Sequence, residues 1–104
     1  MPTFTRPPVN ASSVSRSLRS QGFRPSNPAR KHKHEGVFVE NGMRINGRYY
    51  EVRISVHIDA ERRREELTTA MVEALRGRGY EVEVTRNPEA LASSLIVTRP
   101  AVIT

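Results

Sequence analysis

The dipeptide Asn46-Gly47 constrains the fold more than any other feature, because it separates two stretches with the residue pattern of β-strands. Asn and Gly tolerate the positive φ angles of a two-residue type I′ turn, and this turn joins antiparallel strands. The sequence therefore predicts a β-hairpin with strands at 36–45 and 48–58. The turn also fixes the register, so each residue of the first strand has a known partner in the second.

This register sorts the side chains of the hairpin into one apolar and one polar face. Glu40 lies opposite Arg53 on the polar face, where a pair of opposite charges suits contact with solvent. A turn at Asn41-Gly42 would instead divide the first strand and give a three-stranded meander. We favour one long hairpin with a kink at these residues, because an extra turn would disrupt the separation of apolar and polar side chains between the two faces. The apolar face consists of Val37 opposite Val56, Val39 opposite Ile54 and Met43 opposite Tyr50, together with Val52 and Ile58.

The segment after the hairpin has the apolar spacing of a helix with one buried face. Asp59 is a suitable N-cap, and apolar residues recur at intervals of three and four positions up to Leu75. This pattern predicts a helix over 60–76 that ends at Gly77-Arg78-Gly79.

Two strands and a short helical turn are expected after this helix. Apolar and polar residues alternate from Tyr80 to Thr85, which is typical of a half-buried strand. Asn87-Pro88 can then cap a helical turn that reaches Leu91. The last strand is predicted at 94–98.

The first 35 residues have a weaker structural pattern. Residues 1–11 are rich in proline and lack apolar periodicity, which predicts a flexible arm. A helix over 13–21 can be capped by Ser12 or Ser13 and can stop at the glycine that follows it. Residues 24–35 contain two prolines, a cluster of charges and no apolar face, which predicts a basic loop or linker.

These elements give the order α-β-β-α-β-β in a single domain over residues 12–99. This order predicts an α+β fold with a four-stranded, mostly antiparallel sheet whose apolar face is covered by the helices. Residues 100–104 are expected to form a C-terminal tail, which either frays or adds an edge strand to a partner. A chain of 104 residues is long enough to form one domain with its own core.

The excess of positive charge is confined to the first 34 residues. This segment contains seven basic residues and no acidic residue, whereas the remainder contains ten basic and eleven acidic residues. Cations without counter-charges can bind a nucleic-acid backbone by releasing its counterions. A basic segment that only aids solubility, or one that contacts an acidic protein or a membrane surface, has the same composition. The candidate nucleic-acid-binding residues are Arg16, Arg19, Arg24, Arg30, Lys31 and Lys33.

The sequence does not assemble a catalytic or metal-binding motif. It contains no cysteine, which excludes thiolate chemistry and favours a cytoplasmic location, and it has no apolar stretch that could span a bilayer. Its N-terminal serines cluster at a predicted helix, where capping and a polar surface account for them. His32 and His34 flank a lysine and lack a third ligand. We therefore expect a non-enzymatic protein without a cofactor or a bound metal.

Two stretches carry a family resemblance. They are Ser13–Phe23 (SVSRSLRSQGF) and, after a hairpin and an amphipathic helix, Ala74–Val84 (ALRGRGYEVEV). Over residues 12–98 the chain resembles small uncharacterised proteins of actinobacteria and their phages. The resemblance implies an origin in such a genome, with which the preference for arginine over lysine agrees. It implies no activity and no site residues.

Two functional hypotheses follow from the sequence. The first is a small accessory protein, encoded by a phage, that contacts nucleic acid through its basic N-terminal region. The alternative is a protein–protein interaction module that modulates a host or phage protein. That module would use the edge strands or the exposed face of the sheet, which includes Tyr49, Arg53 and His57. The sequence leaves the strand order and the oligomeric state open.

Overall fold

The computed structural model describes residues 4–26 and 35–103, which form two α-helices and eight strands. Four of the strands are six or seven residues long, and the other four have two residues each. In chain order the elements are β1 (Phe4–Thr5), α1 (Ala11–Ser20), β2 (Gly36–Asn41), β3 (Arg44–Ile45), β4 (Arg48–Tyr49), β5 (Val52–His57), α2 (Glu61–Gly77), β6 (Glu81–Asn87), a 3₁₀ turn (Pro88–Ala90), β7 (Ala92–Thr98) and β8 (Val102–Ile103).

The main sheet has the strand order β2-β5-β7-β6, and each neighbouring pair is antiparallel. Helix α2 connects β5 to β6, and β7 then returns between these two strands. Both helices pack on the same face of the sheet, with α1 against β2 and β5 and with α2 against β5, β7 and β6. The structure thus confirms the predicted α+β fold with helices on one face of a four-stranded antiparallel sheet.

The central hairpin keeps the predicted register from Val37 opposite Val56 down to the turn. Asn46 and Gly47 both have positive φ angles, 50° and 78°, as a type I′ turn requires. Regular pairing is interrupted before the turn, so β2–β5 and β3–β4 are separate ladders. Met43, which we assigned to the apolar face, is 54% exposed because this end of the hairpin extends beyond the core.

The helix starts differ from the predicted ones, because neither helix uses the cap that was expected. The side chain of Asn10, not of Ser12 or Ser13, accepts the capping hydrogen bond of α1, so this helix begins at Ala11. Asp59 does not cap α2. Its backbone N–H donates instead to the Glu35 carboxylate at 2.6 Å, and the N-cap of α2 has no side-chain hydrogen bond.

Both helices end as predicted, at a glycine in the left-handed conformation. Gly22 and Gly79 have φ angles of 93° and 89°. After α1, the backbone N–H of Phe23 donates to the Leu18 carbonyl at 3.0 Å and that of Gly22 donates to the Arg19 carbonyl at 3.1 Å, which gives the Schellman arrangement. The same two-bond pattern closes α2.

The segments expected to be a flexible arm and a tail pair with each other instead. Strand β1 forms an antiparallel ladder with β8. Val9 is 3% exposed, and its backbone N–H donates to the Tyr49 carbonyl at 2.9 Å. Arg6 binds Glu81 at 2.7 Å and the Arg99 carbonyl at 2.9 Å. Residues 4–10 therefore lie against the body of the protein.

The predicted basic loop is described only at its two ends. Ser26 forms a parallel bridge with Phe38, and its backbone N–H donates to the Val37 carbonyl at 2.6 Å. Residues 27–34 lie outside the described part of the chain. The entry to the loop is thus held against β2.

Among the described residues, three buried side chains are polar, and the other buried residues are apolar. Arg64 donates to the Ile58 carbonyl at 2.7 Å and so ties the first turn of α2 to the end of β5. The hydroxyls of Thr68 and Ser93 have no hydrogen-bond partner within the described residues. A buried hydroxyl without a partner costs free energy, because it loses its hydration and gains nothing in return.

We expect that Thr68→Val raises the free energy of unfolding by about 1 kcal/mol, since valine fills the same space without the hydroxyl. Urea denaturation followed by circular dichroism measures this change. Thr69→Val, at the neighbouring exposed position, is the matched control and should change stability little. A loss of stability in Thr68→Val would show that the hydroxyl has a partner.

Candidate functional site

The described candidate residues lie on the outer side of α1 and just after it. Val14 and Leu18 are fully buried and face the sheet, so Arg16 and Arg19 point away from the core and are exposed. Arg24 is also exposed. The other three candidates, Arg30, Lys31 and Lys33, lie outside the described residues.

Two grooves flank α1, and Arg16 lines both of them. The first, which we call the β2-side groove, has a volume of about 610 Å³ and is also lined by Ser12, Ser15, Arg19 and Ser26. The second, the β6-side groove, has a volume of about 390 Å³. It is lined by Ser13, Arg16, Ser17, Arg78, Tyr80 and Arg99. Helix α1 is thus a ridge between two clefts that present serine hydroxyls and arginines.

Contacts within the β6-side groove hold two of its arginines in place. The Arg78 guanidinium donates to the Ser20 hydroxyl at 3.2 Å. The guanidinium of Arg99 stacks over the Tyr80 ring, 5.1 Å from its centroid. Such a cation–π contact orients the side chain without neutralising its charge.

The site is electropositive because its arginines lack acidic partners. Among the described residues, no carboxylate lines either groove, and no ion pair involves Arg16, Arg19, Arg24, Arg78 or Arg99. Four of these guanidinium groups, those of Arg16, Arg19, Arg78 and Arg99, line the two grooves and form a cationic surface on and beside α1, which we call the α1 basic surface.

Two arginines elsewhere on the protein show the contrast with those that line the grooves. Arg86 binds Glu65 at 2.6 Å and joins α2 to β6. The hydrogen bond and the charge of this arginine lower the pKa of the Glu65 carboxyl. Arg53 is paired in the same way, with Glu51 at 3.3 Å. The negative charge of the carboxylate offsets the positive charge of its arginine partner, so these arginines are not candidates for binding an anion.

Arg78 and Arg99 were not among the predicted site residues, because they are distant in sequence from α1. Arg78 lies in the turn that ends α2, and we interpreted that turn only as a stop signal. In the β6–β7 ladder Glu81 pairs with Thr98, which brings Arg99 beside Tyr80. The register of β6 and β7 could therefore have predicted that Arg99 joins the site. This register follows from the sequence only when the 3₁₀ turn between the two strands is placed correctly.

The alternative surface does not form a comparable cluster. His57 is half-buried with its ring edge-on to Phe38, at 5.7 Å between centroids. Tyr49 is half-buried and has Arg44 over its ring at 5.6 Å. Of the three residues proposed for this surface, Arg53 alone is exposed within the described chain.

The described ranges contain neither a metal-binding cluster nor a helix that could span a membrane. No three His, Cys, Asp or Glu side chains of residues 4–26 and 35–103 gather closely enough to hold a metal ion. Neither described helix is both long and apolar enough to cross a bilayer.

Comparison with protein-family models gives no match, and comparison with curated proteins and with solved structures likewise gives no significant match. Functional inference therefore depends on the geometry and charge of the α1 basic surface.

Proposed function

We propose that the chain is a small non-enzymatic accessory protein that binds nucleic acid through the α1 basic surface. The observation that carries this proposal is the convergence of four arginines without acidic partners on one helix and its two grooves. A polyanion with regularly spaced phosphates is the ligand that such a surface suits best, because each contact releases condensed counterions.

The neutral side chains of the surface favour the same ligand. Five of the ten residues of α1 are serines, and several of them line the grooves beside the arginines. Serine hydroxyls and arginine guanidinium groups are common donors to phosphate oxygens. Arg16 and Arg19, predicted from the sequence, are joined here by Arg78 and Arg99, so the surface draws on three separate parts of the chain.

The proposal predicts binding that falls steeply with salt. We expect labelled duplex and single-stranded DNA and RNA to bind at about 50 mM salt, with log K decreasing linearly with log salt concentration. Each phosphate contact contributes about 0.9 to this slope on duplex DNA. Fluorescence anisotropy titrations at four or more salt concentrations measure both quantities.

A double substitution tests whether the α1 basic surface is responsible. Arg16→Gln with Arg19→Gln should weaken binding by about tenfold and lower the salt slope by about 0.9 for each phosphate contact that is removed. The matched control is Arg48→Gln with Arg63→Gln, which removes two exposed arginines without ion pairs from other parts of the described chain. Equal effects of the two variants would mean that only net charge matters. Absence of binding at low salt by the full chain would refute the proposal.

A further inference from the structure

We infer that α1 enters the major groove of B-form DNA, with its two flanking grooves receiving the phosphate backbones on either side. This inference rests on the proposed function and goes further, because it commits to one class of nucleic acid and one binding geometry. It follows from the shape of the ridge, the residues on its crest and the positions of the flanking cations.

The dimensions of α1 suit insertion. A helix of ten residues is about 15 Å long, and a helix with its side chains is about 10–12 Å wide. The major groove of B-form DNA is about 12 Å wide and admits such a helix. The five serines keep α1 narrow, and the grooves on both sides leave it standing above its surroundings.

The crest of the ridge presents groups that can contact base edges. Ser12 and Arg16 are exposed and lie four residues apart, so they share one side of α1. Arginine can donate two hydrogen bonds to O6 and N7 of guanine, and serine can bind several base edges. Arg16 lines both grooves, which places it centrally on the crest.

The cations beside the ridge lie on both of its flanks. Arg19 lines the β2-side groove, and Arg78 and Arg99 line the β6-side groove. Two phosphate backbones border a major groove, so a helix inserted there needs cations on each side. The distribution of the arginines meets this requirement.

Other nucleic acids fit the site less well. The major groove of A-form RNA is deep and too narrow for a helix. Single strands bind by stacking their bases on exposed aromatic rings. Within the described lining, Tyr80 is the one aromatic residue of the two grooves, and it is 8% exposed beneath Arg99.

The first test compares nucleic acids of one sequence under one salt condition. Anisotropy titrations of the full chain use a duplex DNA of about 25 base pairs, the corresponding duplex RNA and the single DNA strand. We expect the duplex DNA to bind at least tenfold more tightly than the other two. Methyl green, which occupies the major groove, should displace the protein, and netropsin, which occupies the minor groove, should not.

A steric variant separates insertion from charge. Ser12→Leu adds bulk to the exposed crest and leaves every arginine in place, so it should weaken binding of duplex DNA by tenfold or more and leave the salt slope unchanged. Thr69→Leu, on the exposed side of α2, is the control and should bind as the unmodified chain does.

The outcomes distinguish failure of this inference from failure of the proposed function. Binding of duplex RNA or single strands as tightly as duplex DNA would overturn insertion into the major groove and leave nucleic-acid binding intact. Displacement by netropsin, or an unaffected Ser12→Leu variant, would do the same. Absence of binding to all three probes would overturn both.

Discussion

Replacing Leu18 with alanine is expected to lower the free energy of unfolding by about 3 kcal/mol and to loosen α1 from the sheet. Leu18 and Val14 are the fully buried side chains of this helix. Truncation of a buried leucine removes apolar contacts and leaves a cavity, at a typical cost of about 2–5 kcal/mol. Helix α1 is short and rich in serine, so it depends on this packing to remain helical.

Urea denaturation followed by circular dichroism measures the loss of stability, and hydrogen exchange of the α1 amides measures the loosening. Leu67→Ala is the control, because Leu67 packs against the core from α2 and is only partly buried. It should cost less and leave the α1 amides protected. A loss below about 1 kcal/mol in Leu18→Ala would contradict the described packing of α1.

The second large effect is expected from Phe38→Ala, which should lower the free energy of unfolding by about 4 kcal/mol. Phe38 belongs to the sheet face opposite the helices, yet it is 1% exposed. The ring meets the edge of His57, and a side chain added at Gly36 would approach it to 3.3 Å. This part of the second face is therefore as closely packed as the main core.

Ile96→Ala is the matched control for Phe38→Ala. Ile96 lies on the same face and is half-buried, so its truncation should cost about 1 kcal/mol. Thermal and urea denaturation of both variants measure the difference. Equal losses would mean that Phe38 is no better covered than an ordinary residue of an open sheet face.

Local signals made most of the fold predictable. The turn at Asn46-Gly47 fixes the hairpin register from two adjacent residues, and Gly22 and Gly79 end their helices through their own backbone conformations. Such features depend on the chain within a few positions, so a sequence pattern contains them. The same reasoning predicted the short turn after β6, where the Asn87 side chain accepts from the Ala90 backbone N–H at 3.4 Å.

Features that depend on distant partners were not predictable. The β1–β8 ladder joins two-residue strands from the two ends of the chain, and neither strand is long enough to show alternation. The backbone N–H of Asp59 donates to Glu35, which is 24 residues away, and the Asp59 side chain does not cap α2. Alternation along β2 does not predict the burial of Phe38 either. Its neighbours in β2 face the helices, so alternation places Phe38 on the other face of the sheet.

The residues of the candidate site fall into the same two groups, those predictable from the local sequence and those brought in by distant partners. Arg16 and Arg19 are predictable because a surplus of charge without acidic neighbours is visible in the sequence. Arg78 and Arg99 join them only through the corner between α2 and β6 and through the β6–β7 register. Charge composition thus identifies the helix, and the tertiary structure adds the flank on which its β6-side groove depends.

The pairing of β1 with β8 also determines where fusions can be attached. Both described ends of the chain emerge at one corner of the protein, where Arg6 contacts the backbone of Arg99. Arg99 also lines the β6-side groove, so we expect an affinity tag or fluorophore attached beyond β1 or β8 to interfere with a ligand there. A circularly permuted chain, with the old ends joined by a short linker and new ends opened at Asn46-Gly47, moves the attachment point to the exposed tip of the hairpin.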